Sequence, residues 1–466
     1  MTLTELYGEI DRRWPKHLAE TRKILRVPSV SMTGEGIRDA ANVFEGLLKK
    51  LGAKTGQFKG TSTSHPLVHG HLDVGADKTV VLYGMYDVMP PGNLDEWEHP
   101  PFGATIVKKK PFGEILVNRG VYNSKGSLIG SLLAIQTMLD KNQMPLNVRF
   151  LIEGEEELGG LSLPNFVHKN KKTLSKAVAG LWFDYSENSL GVPVICLGSK
   201  GCVYFDLIAE GRDRGGAMEE LHSSGAVLIE NPVWRLVQAI SSFMGENQKP
   251  AIDGIWDDVA KPSVEDKGLV DTLTKIVDVE TLKKEWEVER FKEEGSSKKV
   301  LMKYLFEPSI NIAGFSAGYE EEGAKTVLPP RAMVKMDIRT VPNMTIEGTR
   351  KKVMDHLRRR GFGDIRMRNY VDYPWSKVGL GEDIVQACIE GMKCHGKDPE
   401  VWPLMAGSAP MYLFDQVLGM PHCGAGLGYG GKAHAPNEFA VVSKMREFEK
   451  SVMSVMWKFA DMPRRR

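Results

Sequence analysis

Acidic and histidine side chains gather in this sequence at the ends of segments that read as β-strands. Asp87 follows the run 79–83. Glu153, Glu155, Glu156 and Glu157 follow 147–152. Asp184 closes 179–183, and His434 stands in the glycine-rich stretch GAGLGYGGKAHAPNE. In open α/β sheets the carboxyl ends of the strands are where ligands bind. Four glutamates within five residues repel one another unless water screens them or a cation binds them. A charge run is ordinarily a solvated face. Here Gly154 precedes the run and Gly159-Gly160 follow it, which describes a tight loop instead. The chemistry such a loop offers is cation binding.

The elements that must position these residues are read from periodicity. Residues 38–51 carry apolar positions at helical spacing and stop before Gly52. Strand patterns cover 66–74 and 79–83, a helix 128–139, and strands 147–152 and 179–183. This alternation predicts α/β layering with a mostly parallel sheet. The middle differs: a strand at 203–209, a helix at 232–243, strands at 308–316 and 331–340, and a helix at 345–360. Residues 253–300, rich in Asp, Glu and Lys, read as an exposed insertion. Alternation resumes after 372 and ends in a helix over 443–459. The division expected is an α/β domain over 1–202 and 372–466, with a small α+β domain inserted at 203–371.

Composition excludes several classes of function. The length of 466 residues suits two or three domains. With 42% hydrophobic and 26% charged residues the chain reads as soluble and globular. A net charge of +1 offers no field for nucleic acid or an acidic membrane, so neither is expected as a partner. Five scattered cysteines argue for a reducing compartment rather than a disulfide framework. The charged N-terminus has no signal-peptide core, and no run approaches the ~18 apolar residues of a membrane span. A cytoplasmic location is the expectation.

The motifs then become specific. YGMYDVMPPG is followed by Trp97 and Pro101-Phe102; NRGVYNSKGSL, IEGEEELGG and FDYSEN come next. LHSSG precedes Asn231-Pro232, NIAGFSAGYEEEGAKTVLPPRAMVKMDIRTVPN follows, and GSAP and HAPNE close the series. In this order the set resembles the dinuclear metallopeptidase family of carnosinase, succinyl-diaminopimelate desuccinylase, aminoacylase and carboxypeptidase G, over nearly the whole chain. The resemblance implies a zinc-aminopeptidase-like α/β catalytic domain with an inserted α+β lid and dimerisation domain. It implies metal-dependent hydrolysis of a C–N bond in a small amide or peptide-like substrate. It assigns metal-ligand positions to Glu157, Asp184 and His434, and the general-base position to Glu156. Asp87 takes the position that orients the first ligand histidine. His222 takes the position that reaches, in family homodimers, into the partner's site. Arg339, with Ser408 and Asn311, takes substrate-binding positions.

Two positions depart from the family pattern. Met85 stands where the first ligand histidine belongs, and Asn123 where the bridging aspartate belongs. A thioether is a poor ligand for Zn or Mn, and a neutral amide bridges two dications badly. The expectation is one divalent ion per chain, Zn or Mn, near Glu157 and His434. His71 and Asp73, in VHGHLDV, write the usual first motif in full one element upstream, but the residues that normally follow it belong to 84–102. Met85, Tyr86, Tyr122, Leu404 and Met405 would suit an aromatic, weakly charged substrate. An aromatic-amine aminohydrolase is therefore an alternative within the family, and a non-catalytic relative with a decayed site is the alternative outside enzymes.

Overall fold

The computed structural model describes residues 1–370 and 372–463, with the side chains of 247 and 285 excepted; the expected boundary residue 371 lies outside the described residues. The chain forms two compact units. The first is Met1–Leu197, Val378–Trp402 and the described part of Leu413–Arg466; the second is Gly198–Lys377 with Pro403–Tyr412. The segment 403–412, expected with the α/β part, clusters with the second unit because its backbone pairs there. Met405 N donates to Gly198 O at 2.8 Å and Lys200 N to Met405 O at 2.9 Å.

The first unit is built on a six-stranded sheet. Its strands are β1 (Lys54–Phe58), β2 (Leu67–Leu72), β3 (Thr79–Met85), β4 (Asn147–Glu153), β5 (Ala179–Phe183) and β6 (His422–Ala425), in the order β1-β2-β4-β3-β5-β6. Strands β4, β3, β5 and β6 run parallel; β2 and β1 add an antiparallel edge. Six of the seven residues of β3 are buried, the mark of a strand covered on both faces. One cover is α3 (Lys125–Asp140), which is buried nearly all round. Gly84 lets it approach β3, since a Cβ there would meet Leu128 Cδ1 at 2.7 Å.

Besides α2 (Ile37–Lys50), the helices of this unit include α1 (Leu3–Leu25) and α4 (Val442–Asp461). The last two are tied by a buried contact of 2.6 Å between His17 Nδ1 and Glu449 Oε2. Periodicity did not find α1, where Pro15 and a dense run of charges interrupt the pattern. A second sheet, of strands Thr105–Lys109, Gly113–Val117, Gly430–Gly431 and Phe439–Val441, brackets the loop that carries His434.

The second unit has a four-stranded antiparallel sheet ordered Ser309–Ala317, Arg331–Thr340, Gly201–Glu210, Arg366–Asn369. The core of this unit gathers Val203, Phe205 and Leu207 from the sheet with Leu236 and Leu357 from the helices Pro232–Ser241 and Ile346–Arg359. The stretch expected as an exposed insertion is largely exposed, and it carries helices over Val264–Leu273 and Val279–Glu285 and runs into Ser297–Phe306. Val270, Leu273, Leu301 and Leu305 are buried there. The abundant surface charges masked those apolar positions. Among the described residues no helix is long and apolar enough to cross a membrane.

Candidate metal-binding site

The parallel strands β3, β4 and β5 deliver Met85, Glu153 and Phe183 to one edge of the sheet, with Asp87, Glu156, Glu157 and Asp184 just beyond it. The four glutamates after β4 divide by role. Glu153 is buried and accepts from Tyr83 Oη at 3.0 Å; burial raises its carboxyl well above the usual range. Glu155 is also buried, and its oxygens accept from His65 N at 2.8 Å and Ser162 N at 2.7 Å. Those two anchor the loop. Glu156 and Glu157 begin a single 3-10 turn, and Asp87 caps it: Oδ1 accepts Glu156 N and Oδ2 accepts Glu157 N, both at 3.1 Å. Asp87 is fully buried, and burial pushes its pKa up to about 7.

The family position assigned to Asp87 has no ring beside it in this chain. Met85 is 3% exposed and has no N–H to orient, so both Asp87 oxygens hold the glutamate turn. The substrate-binding role expected for Tyr86 is corrected. It is fully buried, stacks on Phe44 and spends its hydroxyl on Pro66 O at 2.7 Å. It packs the core and offers no open face to a substrate. Tyr122 is partly exposed, and burial raises its phenol to about 12.

Asn123 is the hub of the site. Its Nδ2 donates to Glu157 Oε1 at 2.9 Å and lies 2.8 Å from His434 Nε2. A neutral imidazole accepts an amide hydrogen at Nε2, whereas a protonated one turns its Nε2 hydrogen towards Glu157. Nε2 and Glu157 Oε1 are 3.2 Å apart, and the Glu157 carboxylate raises the His434 pKa. On the other side Ser124 Oγ bridges Asn123 Oδ1 at 3.3 Å and Asp184 Oδ2 at 2.9 Å. Asp184 Oδ1 accepts Ser127 Oγ and Tyr185 N, each at 2.8 Å. Burial pushes Asp184 up to about 6. The serines sit at the start of α3, where an anion is favoured by the helix dipole.

His434 itself sits in the left-handed region, at φ 62°, a conformation costing a non-glycine residue roughly 1 kcal/mol or more. Glu438 holds the loop. Its buried carboxylate accepts Gly120, Tyr122 and Asn123 N–H, each at 2.9 Å, and pairs with Arg119 at 2.8 Å. Arg119 in turn donates to His434 O at 3.2 Å. Sequence reasoning quoted HAPNE and gave Glu438 no role; its burial as an acid was the hidden signal.

These observations test whether a metal fits. Among the described residues no group of three or more His, Cys, Asp or Glu is arranged to hold one. The Asp184 half does not fit: its oxygens are occupied by hydroxyl and amide donors, and its neighbour ligand position is Met85. The Glu157 and His434 half keeps two donors at a spacing one ion could span, with Asn123 Nδ2 within hydrogen-bond distance of both. Two donor atoms on one zinc at roughly 2.0–2.2 Å and near-tetrahedral angles lie about 3.3 Å apart, close to the 3.2 Å found. His71 lies at the other end of the sheet. It pairs with Arg149 on the antiparallel β2, four register positions from Met85 and Glu153.

The remaining expected residues belong to the second unit. Arg339 Nη1 donates to Ser408 Oγ at 2.8 Å, and its Nε is 3.4 Å from Asp337 Oδ1. Asn311 Nδ2 donates to Asp337 Oδ2 at 2.9 Å. The structure thus joins Arg339, Ser408 and Asn311 in one network. His222 is exposed, with Nδ1 2.9 Å from Ser224 Oγ and Nε2 3.2 Å from Thr326 Oγ1. Leu404 is fully buried.

Known proteins match this chain throughout. A relative from Candida albicans, the Cys-Gly metallodipeptidase DUG1, is 31% identical over 387 residues, 77% of this chain and 75% of its own. The M20 family metallo-carboxypeptidase Sso-CP2 from Sulfolobus solfataricus superposes with a TM-score of 0.88 at 32% identity, over 96% of this chain and 99% of that one. The di-peptidase Dug1p from Saccharomyces cerevisiae superposes at 0.86 with 25% identity, over 99% of each. The family model for Peptidase family M20/M25/M40 matches residues 81–458, which span the sheet edge, the glutamate turn and the His434 loop, and the chain belongs to that family.

Proposed function

We propose that this chain hydrolyses the C–N bond of a small amide or dipeptide-like substrate, using one divalent ion, Zn or Mn, held by Glu157 and His434. The observation that carries the proposal is the convergence of Glu157 Oε1 and His434 Nε2 beside a capped turn that presents Glu156. The relative from Candida albicans is a metallodipeptidase, which supports peptide-bond chemistry. When bound, the ion would supply Lewis acidity and lower the pKa of water.

The chain's own residues do the rest. Asp87 fixes the backbone of Glu156, so its carboxylate is presented at a defined place. Glu156 takes a proton from the attacking water at a carboxylate oxygen. Arg339, oriented by Ser408 and Asp337, offers a substrate carboxylate a charged donor. His222, held by Ser224 and Thr326, supplies an imidazole to a partner chain in a homodimer, where it steadies the developing oxyanion. Five unpaired cysteines support a reducing, cytoplasmic setting.

Turnover of a dipeptide panel in Mn, Zn or Co tests the reading. Silence with every ion would overturn it and favour a non-catalytic binding relative. That second reading draws on the donors already filling the Asp184 half of the site.

A further inference from the structure

We propose that the second unit carries a binding pocket for a compact polyanion of the phosphate type, built around Lys200. The pocket has a volume of about 280 Å³ and is lined by Lys200, Lys249, Lys292, Lys303 and Arg339, with Glu307 the single acidic residue among the described residues of its wall. That size is just below the range of drug-sized ligand sites, so a small occupant fits.

Lys200 is the telling residue. It is 4% exposed, and its Nζ donates to the backbone oxygen of Glu307 at 2.7 Å. A carbonyl satisfies one N–H and supplies no counter-charge. A buried ammonium without a counter-ion is costly, and removing it from water is repaid only when an anion pairs with it. Burial lowers its pKa to about 8, Glu307 opposing and Arg339 adding to the shift; the amine stays protonated at neutral pH.

The charges facing Lys200 do not cancel it. Lys303 pairs with Glu293 and lies 3.9 Å from Glu307 Oε2. Arg339 is answered by Asp337. Lys249 lies over the Trp256 ring, 4.7 Å from its centroid, and Lys292 is exposed. Even with Glu293 and Asp337 counted, five cations face three carboxylates. A lysine is a point charge that binds phosphate oxygens without demanding a planar partner. The excess charge therefore selects a multiply charged oxyanion over a single carboxylate. The pocket shares Arg339 with the proposed substrate site and rests on that reading for this one residue only.

The test is titration calorimetry of the full chain with inorganic pyrophosphate, in EDTA and at fixed ionic strength. EDTA removes any ion at Glu157 and His434, so failure of the metal reading leaves the result intact. Saturable binding with a Kd below roughly 1 mM is expected. Lys200→Met should abolish it. Should that variant fail to fold, Lys249→Gln with Lys292→Gln, both exposed changes, should weaken binding at least about 10-fold. Absence of saturable binding, an equal response to chloride, or binding unchanged in the double variant would each overturn the proposal.

Discussion

The side-chain nitrogen of Asn123 lies 2.8 Å from Nε2 of His434, so in the neutral imidazole an amide hydrogen points at the lone pair that a metal would take. The same nitrogen donates to Glu157. An ion at this place must displace the amide and gains no charge from it, whereas an aspartate would supply one. We therefore expect one tightly held ion per chain at most. Elemental analysis after dialysis, finding two ions in the wild type, would refute this. Asn123→Asp combined with Met85→His should raise the stoichiometry towards two, because a charged bridge and a nitrogen ligand are both restored.

Glu156→Gln should abolish turnover and leave folding and metal binding close to wild type. Glutamine keeps the volume but cannot accept a proton from water at neutral pH. General-base catalysis contributes ~100-fold to 10,000-fold, so the loss should fall on kcat with little change in KM. Glu157→Gln should instead weaken metal affinity, and excess metal should partly rescue it. A Glu156→Gln enzyme that matches the wild-type rate removes Glu156 from the mechanism.

Asp184 makes stability depend on pH in an unusual direction. Its folded pKa, about 6, lies above the ~3.9 of a free aspartate. Between these values the folded chain holds a proton that the unfolded chain has released. The stabilisation is complete below about pH 4 and is lost as pH rises through 6. Asp184→Asn keeps the size and cannot ionise. In EDTA it should reduce the fall in stability between pH 4 and 7 by about 1–3 kcal/mol. Parallel denaturation curves for the two proteins across this range would show that Asp184 does not titrate there.

The legible part of this site was the part written in charge. Glu156, Glu157, Asp184 and His434 stand at strand ends and in glycine-flanked loops, and the structure gathers them at one edge of the first unit. The illegible part was written in hydrogen bonds. Ser124 and Ser127 fill Asp184's oxygens, yet two serines near a helix start are ordinary caps in a sequence. Asp87 accepts the N–H groups of Glu156 and Glu157, and Met85 beside it carries no ring, a pairing no residue spacing announces. Tyr86 alternates with its neighbours as a site residue would, and only its buried hydroxyl bond to Pro66 shows otherwise. The strands were clear where both faces are apolar, as in β3. The helices of 264–306 were hidden because charged residues outnumber the apolar ones they bury.

The last prediction concerns self-association through the second unit. Close to His222 in sequence this unit exposes Met218, Val227 and Leu228 at 80%, 90% and 91%, and Trp234 at 68%. Leu236 and Ala239 of the helix Pro232–Ser241 are buried in the core, so Trp234 and Val237 form its outer face. Large exposed apolar residues cost solubility unless another surface covers them. A second copy is the occupant that the proposed role of His222 requires. Sedimentation should show a dimer at micromolar concentration. Val227→Asp with Leu228→Asp should dissociate it, since each side chain lost from a buried interface centre costs about 2 kcal/mol, roughly 30-fold in Kd. The dissociated variant should bind metal like the wild type and lose turnover, because His222 would then have no partner site to enter. A monomeric variant with full activity would break the link between His222 and catalysis while leaving the Glu157 and His434 site untouched.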